Sequence, residues 1–254
     1  MKAILFVLVV ASLAFAQKPV PKKSRQVLLD LRVNRNVAPA TIPAATQRYV
    51  LSKVFRRYLT DQNRCNAQLG ASGDADPLAA ARKAGQIVPS IFGSATGSFT
   101  AAGQSQTLYV ISVSECNASH ADNFGTKRVA IFAGQQLIAE FDVDFYESIA
   151  RKTDLNGDGI DELLMTRGYM GQGTLTESAA LLSFQNGRLR VIEDFGMVLE
   201  DSCASGFPGS SAQASVLYIS DAVAGQMPKF PRENYAATCR TIRRWRFVSS
   251  GKMQ

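Results

Sequence analysis

Residues 148–166 read SIARKTDLNGDGIDELLMT. Oxygen-bearing side chains stand at Asp154, Asn156 and Asp158, glycines interrupt them at 157 and 159, and an apolar run follows. Two architectures compete for such a pattern. A helix–loop–helix calcium hand needs a bidentate glutamate at the twelfth loop position and helices on both sides. Here the twelfth position is Met165. The flanks, Ser148 to Arg151 and Leu163 to Thr166, read as strands. The stretch therefore predicts strand–loop–strand, and with it a chain that is mainly β.

Calcium is a hard cation that takes six to eight oxygen ligands. The loop at 154–162 offers Asp154, Asn156 and Asp158 at positions 1, 3 and 5, and the backbone carbonyl of Ile160 at position 7. Glu162, at position 9, closes the shell, while Asp161 at position 8 is expected to point away. Gly159 supplies the positive φ of the tight turn. Magnesium fits less well, because it demands rigid octahedral geometry and retains water. The competing reading is a solvated acidic turn, since Asn-Gly and Asp-Gly are ordinary hairpin residues. Three neighbouring carboxylates repel unless a cation neutralises them, so calcium is expected to raise the melting temperature.

DLNGDGIDELL (154–164) resembles the calcium loop of FG-GAP/VCBS-type repeats, the blades of integrin-α-like β-propellers, which carry D-x-[DN]-x-D-G-x-x-[DE] before an apolar strand. The resemblance covers about 12 residues strongly and about 50 weakly, a length that suits one β repeat unit. It implies Asp154, Asn156, Asp158, the Ile160 carbonyl and Glu162 as Ca²⁺ ligands. The general layout is also similar to that of exported bacterial proteins holding a single such loop. A weak internal repeat accompanies it: the hairpins at 127–143 and 178–196 each lead into a loop and another strand, and only the first loop keeps its acids. A partial or degenerate β-propeller is the implied architecture. A closed ring would need four to eight blades, and two or three units are visible.

Outward from the loop, the other β segments are TLYVISVSE, the hairpin KRVAIFAGQQLIAEFDV around Ala133-Gly134-Gln135, ESAALLSFQNGRLRVIEDFG, ASVLYISDA and TIRRWRFVSS. Asn186-Gly187 is the two-residue turn expected of a tight hairpin. MGQGTLTE (170–177) reads as a loop. These segments make a β domain over 105–254. Residues 44–104 form a helical and Gly/Ala/Ser-rich segment. Within it, Tyr49, Val50, Val54, Tyr58 and Leu59 recur at helical spacing and predict an amphipathic helix over 46–66. Asp76-Pro77 starts a short second helix, and the rest to 104 reads as loop. Residues 17–43 read as an extended linker, with room for one strand or a turn of helix between Val27 and Val33. Residues 1–16 have the charged, apolar and Ala14-Phe15-Ala16 layout of a secretory signal peptide, shorter than the roughly 20 residues that span a bilayer. The expected location is secreted or periplasmic, with no transmembrane segment once the signal is cleaved.

Four cysteines, Cys65, Cys116, Cys203 and Cys239, form no C-x-x-C pair, which argues against zinc. In an exported chain an even count implies disulfides. Three pairings are possible, and Cys65–Cys116 with Cys203–Cys239 is preferred because each staples one end of the chain. The net charge of +7 is spread along the sequence and reads as solubility rather than nucleic-acid binding. The single histidine, His120, sits in a polar turn, and no G-x-S-x-G or H-E-x-x-H motif occurs. Asn117-Ala118-Ser119 fits a glycosylation acceptor.

The expected function is a non-catalytic binding or adhesion role outside the cell, toward an extracellular glycan or protein, with calcium acting structurally. One alternative is a polysaccharide hydrolase using a carboxylate pair drawn from Asp142, Asp144, Glu147, Glu193, Asp194, Glu200 and Asp201, beside Phe141, Phe145 and Tyr146. The other is a basic glycan-binding module built on TIRRWRFVSS, where Arg244 and Arg246 share one face and Arg243, Trp245 and Phe247 the other. The bland reading of that segment is an edge strand whose arginines discourage edge-to-edge pairing.

Overall fold

A computed structural model describes residues 25–33, 41–60, 84–115, 127–143, 146–239 and 244–253. The signal-peptide reading, the second helix at Asp76-Pro77, Cys65, Cys116, residues 117–120, Asp144, Phe145 and Arg243 lie outside the described residues. The strands are β1 (Gln26–Asp30), β2 (Ile87–Gly97), β3 (Gln106–Glu115), β4 (Lys127–Ala133), β5 (Gln136–Asp142), β6 (Ser148–Thr153), β7 (Glu162–Gly171), β8 (Thr174–Ser183), β9 (Arg190–Asp201), β10 (Ser211–Ile219), β11 (Arg232–Thr238) and β12 (Arg246–Ser250). One α-helix, α1, spans Ala44–Val54. The chain is mainly β, as its alternating segments predict.

The strands form two sheets. Sheet one is a meander, β12-β11-β10-β9-β8-β7-β6, curled into a half-barrel, with β1 added beside β10 as its eighth strand. Sheet two is the four-stranded meander β2-β3-β4-β5. All pairings are antiparallel. The hairpins of the weak sequence repeat fall in different sheets, 127–143 in sheet two and 178–196 in sheet one.

Three apolar layers hold the sheets together. The first half of β7 (162–166) and the second half of β8 (179–183) are buried on both faces, and alternation along them assigns each residue to a layer. Leu164, Ala179 and Leu181 face the interior of the curl, with Leu28, Val198, Ala214 and Leu217. Leu163, Met165, Ala180 and Leu182 face the other way, onto Leu108, Val110, Val129 and Ile131 of sheet two. The far face of sheet two, with Ile111, Val113, Ala130 and Phe132, is covered by Val50 and Leu51 of α1 and by Phe55. Each fully buried large side chain in these layers contributes about 2 kcal/mol over its exposed state.

β9 pairs with β10 only through Leu199–Asp201, then splays away. β1 takes the vacated edge, at Val216–Ile219. Arg232 fills the gap. Its guanidinium, on a residue only 7% exposed, donates to the carbonyls of Phe195 (2.8 Å) and Met197 and to Ser215 Oγ (2.8 Å). A single side chain thus satisfies two β9 carbonyls that β10 no longer reaches.

Several elements differ from the sequence expectation. The helix stops at Val54 rather than reaching residue 66, and Phe55 is extended. Leu59 instead donates its N–H to the Ile87 carbonyl at 2.8 Å. Residues 87–97, expected as loop, are strand β2. Pro89 and Gly93 hid it, and both are tolerated because β2 is an edge strand with a bulge between Ile91 and Gly93. The β4–β5 hairpin turns at Gly134-Gln135, as expected, and a second two-residue hairpin is Gln172-Gly173 (φ 50° and 77°), joining Gly171 to Thr174 inside the segment expected to be loop. Asn186-Gly187 lies instead in a six-residue connection between Ser183 and Arg190, within a 3-10 turn. The extended stretch 17–43 does hold a strand, β1. The strand of TIRRWRFVSS begins only at Arg246 and forms the free end of sheet one, as an edge strand.

Candidate metal loop

Strands β6 and β7 pair antiparallel out to Thr153 and Glu162, so residues 154–161 are the loop of a long β-hairpin, as the flanks predict. The loop is wound around its first carboxylate. Asp154 Oδ1 accepts the N–H groups of Gly157 (2.7 Å) and Asp158 (3.2 Å), and Oδ2 accepts that of Gly159 (2.9 Å). Asp158 Oδ1 accepts the Ile160 N–H at 2.8 Å, and Asn156 Oδ1 the Asp158 N–H at 3.1 Å. Gly159 has φ 81°, and a Cβ there would lie 3.0 Å from the Ala102 methyl; backbone angle and neighbour both call for glycine.

Glu162 lies beneath the loop, 2% exposed, accepting the Leu155 N–H on Oε2 at 3.0 Å. Leu155 and Ile160, in the loop that precedes it, are both buried. Burial pushes its carboxyl up to about 7; the Leu155 N–H opposes the rise, and the charges of Asp158 and Asp154 add to it. A buried carboxylate beside two others is costly unless protonated or met by a cation.

Asp161 does point away from the loop. Its Oδ2 accepts the Ser98 N–H (2.9 Å) and lies 3.3 Å from Lys152 Nζ, while its own N–H donates to the Ser98 carbonyl at 2.7 Å. Gly97 makes room, since a Cβ there would sit 2.3 Å from that carboxylate oxygen. Two further segments reach the loop. Gly225, between β10 and β11, donates to the Asn156 carbonyl at 2.6 Å, and Gln185 Nε2 lies 3.5 Å from Asp158 Oδ2. The 154–161 loop is therefore a junction of both sheets and the β10–β11 connection. Ser98, Gln185 and Gly225 carry no motif, and only the fold brings them here.

As donors, Asp154, Asn156, Asp158, Glu162 and the Ile160 carbonyl are all oxygen, the type calcium takes. The Asn156 amide donates to Asp158 Oδ2 at 3.1 Å, and a cation would compete for that oxygen. Among the described residues, no three histidine, cysteine, aspartate or glutamate side chains converge as a ready-made cluster; the amide and carbonyl donors are outside that count.

The carboxylates considered for hydrolysis are dispersed. Asp142 pairs with Arg128 at 3.0 Å. Asp194 accepts the Gly196 N–H and Asp201 the Cys203 N–H, both within their own turns. Glu193 and Glu200 stand at opposite ends of β9, roughly 20 Å apart at the rise of a strand. Glu147 lies 3.8 Å from Lys127 Nζ and, with Asp30 and Glu177, lines a cleft of about 340 Å³ between β1 and β6–β7. Phe141 packs on Phe184 at 5.5 Å as part of the intersheet core. Cys203 and Cys239 form a disulfide. No described helix is long and apolar enough to cross a membrane.

No family model, curated protein or solved structure matches the chain.

Proposed function

We propose that the 154–162 loop is a structural calcium site of FG-GAP type in an exported, non-catalytic binding or adhesion protein. The carrying observation is the winding of the loop around Asp154, whose carboxylate gathers three successive N–H groups while Glu162 is buried beneath. Calcium bound there would offset the clustered negative charge and lock the junction with Ser98, Gln185 and Gly225. The likeness to a propeller blade is kept at the level of this loop. Its extracellular partner would be a glycan or protein. The disulfide supports an oxidising compartment.

Scanning calorimetry in millimolar calcium and in excess chelator tests the metal. A higher melting temperature with calcium, not matched by magnesium, is expected; identical scans would overturn the reading. Export is tested separately by terminal sequencing of the secreted chain, which should begin at Gln17.

One observation favours the hydrolase reading, the cleft that Glu147 and Glu177 line. Glu147 and Glu177 are the candidates for such a pair; the third acid there, Asp30, has both carboxylate oxygens taken up by Arg32. Hydrolysis of a polysaccharide panel that is lost in E147Q or E177Q would establish it.

A further inference from the structure

Arg56 and Arg57 follow the end of α1 as adjacent, exposed residues, and neither forms an ion pair with a described carboxylate. Both line a cavity of about 390 Å³, within the range of small-molecule sites. Its floor is apolar: Phe55, Ile87 and Val113, all buried, with the half-buried Val54 beside them. Arg128 and Asp142 complete the lining.

The charges on this cavity do not balance. Three guanidinium groups face one carboxylate, and that carboxylate, Asp142, is already held by Arg128 Nε at 3.0 Å. Glu140, outside the lining, adds a second contact to Arg128 at 3.8 Å. Among the described residues, no further carboxylate compensates Arg56 and Arg57, which stand above an apolar floor. Favourable contact with a helix C-terminus is the plain explanation for such residues, but Lys53 already stands in the last turn of α1. Arg57 is also fixed in place: Gly85 packs so closely that a Cβ on it would lie 2.6 Å from the Arg57 Cβ. The Leu59 N–H bond to Ile87 anchors the chain two residues on. The two forks therefore emerge from a pinned backbone at the mouth of a preformed hollow.

We propose that this cavity binds a small amphiphilic anion, a carboxylate or phosphate on an apolar body. Arg56 and Arg57 hold the anionic head, since a planar guanidinium matches either oxyanion in bidentate fashion. The apolar body lies on Val54, Phe55, Ile87 and Val113. Arg128, engaged by Asp142, forms the far wall. This site is separate from the 154–162 loop and does not depend on calcium.

The test is isothermal titration of the full disulfide-bonded chain with octanoate and, in parallel, octyl phosphate, with octanol and inorganic phosphate as controls. One of the two anions should bind once per chain, more tightly than either control, and the comparison tells which head is preferred. The double variant R56A/R57A should melt with the wild type, because both side chains are exposed, and should bind roughly tenfold or more weakly. D142N removes the lining carboxylate without touching Arg56 or Arg57, and should bind more tightly. Failure of both anions to bind, octanol binding as well as octanoate, or affinities unchanged in both variants would overturn the proposal.

Discussion

Arg232 on β11 donates to the carbonyl of Phe195 on β9 at 2.8 Å, across the gap that opens where β9 leaves β10. The side chain substitutes for a length of strand. Burial holds its pKa below the ordinary arginine value, yet it keeps its charge at any working pH. Its partners are carbonyls, Ser215 and Asn234. Replacing it with methionine leaves the β9 carbonyls unpaired in a buried gap, and R232M should cost about 3 kcal/mol in equilibrium urea unfolding. R232K should recover only part, because an ammonium cannot reach both carbonyls with one planar fork.

Glu162 sets up a second contrast. In chelator, E162Q should melt no lower than wild type, since the amide removes a buried charge next to Asp154 and Asp158. In calcium, the same variant should show a much smaller rise in melting temperature than wild type. Calorimetry in both buffers reads the two effects separately, and a variant with an undiminished calcium response would exclude Glu162 as a ligand.

Acid should destabilise the fold through Asp30, at the end of β1, and Glu233, on β11. Burial alone would raise the Asp30 carboxyl, but the hydrogen bonds and charge of Arg32 outweigh it, and its pKa lies below the ordinary 3.8. The Tyr235 hydroxyl, helped by Tyr218 and Arg25 and opposed by partial burial, holds Glu233 below the ordinary 4.5. Groups with depressed folded pKa values contribute stability that is present above their ordinary values and lost as pH falls through the folded ones. The contribution of these two groups to the melting temperature should therefore hold down to about pH 5 and be lost below about pH 4. E233Q should flatten part of that slope in a pH series.

The Cys203–Cys239 disulfide ties the β9–β10 connection to the end of β11 over 36 residues of sequence. Its removal in C203S/C239S should lower stability by about 3 kcal/mol. Gly97 is a more local test. With Asp161 in the way of any Cβ, G97A must displace that carboxylate from Ser98 and Lys152, at about 2 kcal/mol.

How much of this was legible in the sequence follows physical lines. Alternation exposed β3, β4, β5 and β10, because each shows the sheet a regular face. The loop at 154–162 was legible because its chemistry is local. The turns were legible only in part: the β4–β5 turn falls at Gly134-Gln135 as expected, but while Asn186-Gly187 has the stronger hairpin signature, Gln172-Gly173 makes the tight turn. Both pairs take positive φ; loop length, set by where β9 must begin, decides between them. Ile87–Gly97 was hidden by Pro89 and Gly93, since nothing local says that a strand will lie at an edge. Tyr58 kept helical spacing past the helix end because it packs into the same layer as α1, although the chain has already turned extended at Phe55.

The burial of Glu162–Thr166, the first half of β7, on both faces has a consequence for how the strand finds its alignment. In a half-exposed strand, a slip of one residue turns apolar side chains into water and is rejected at once. In β7 the same slip would exchange Leu163 and Met165 for Leu164 between two oily compartments, and hydrophobicity would scarcely register the error. The frame must then be set from the strand's ends. One end is the Gln172-Gly173 turn. The other is Glu162, seated under a loop that Asp154 has already closed. Whatever else the acidic loop binds, it tells the half of β7 that has no wet side where to begin.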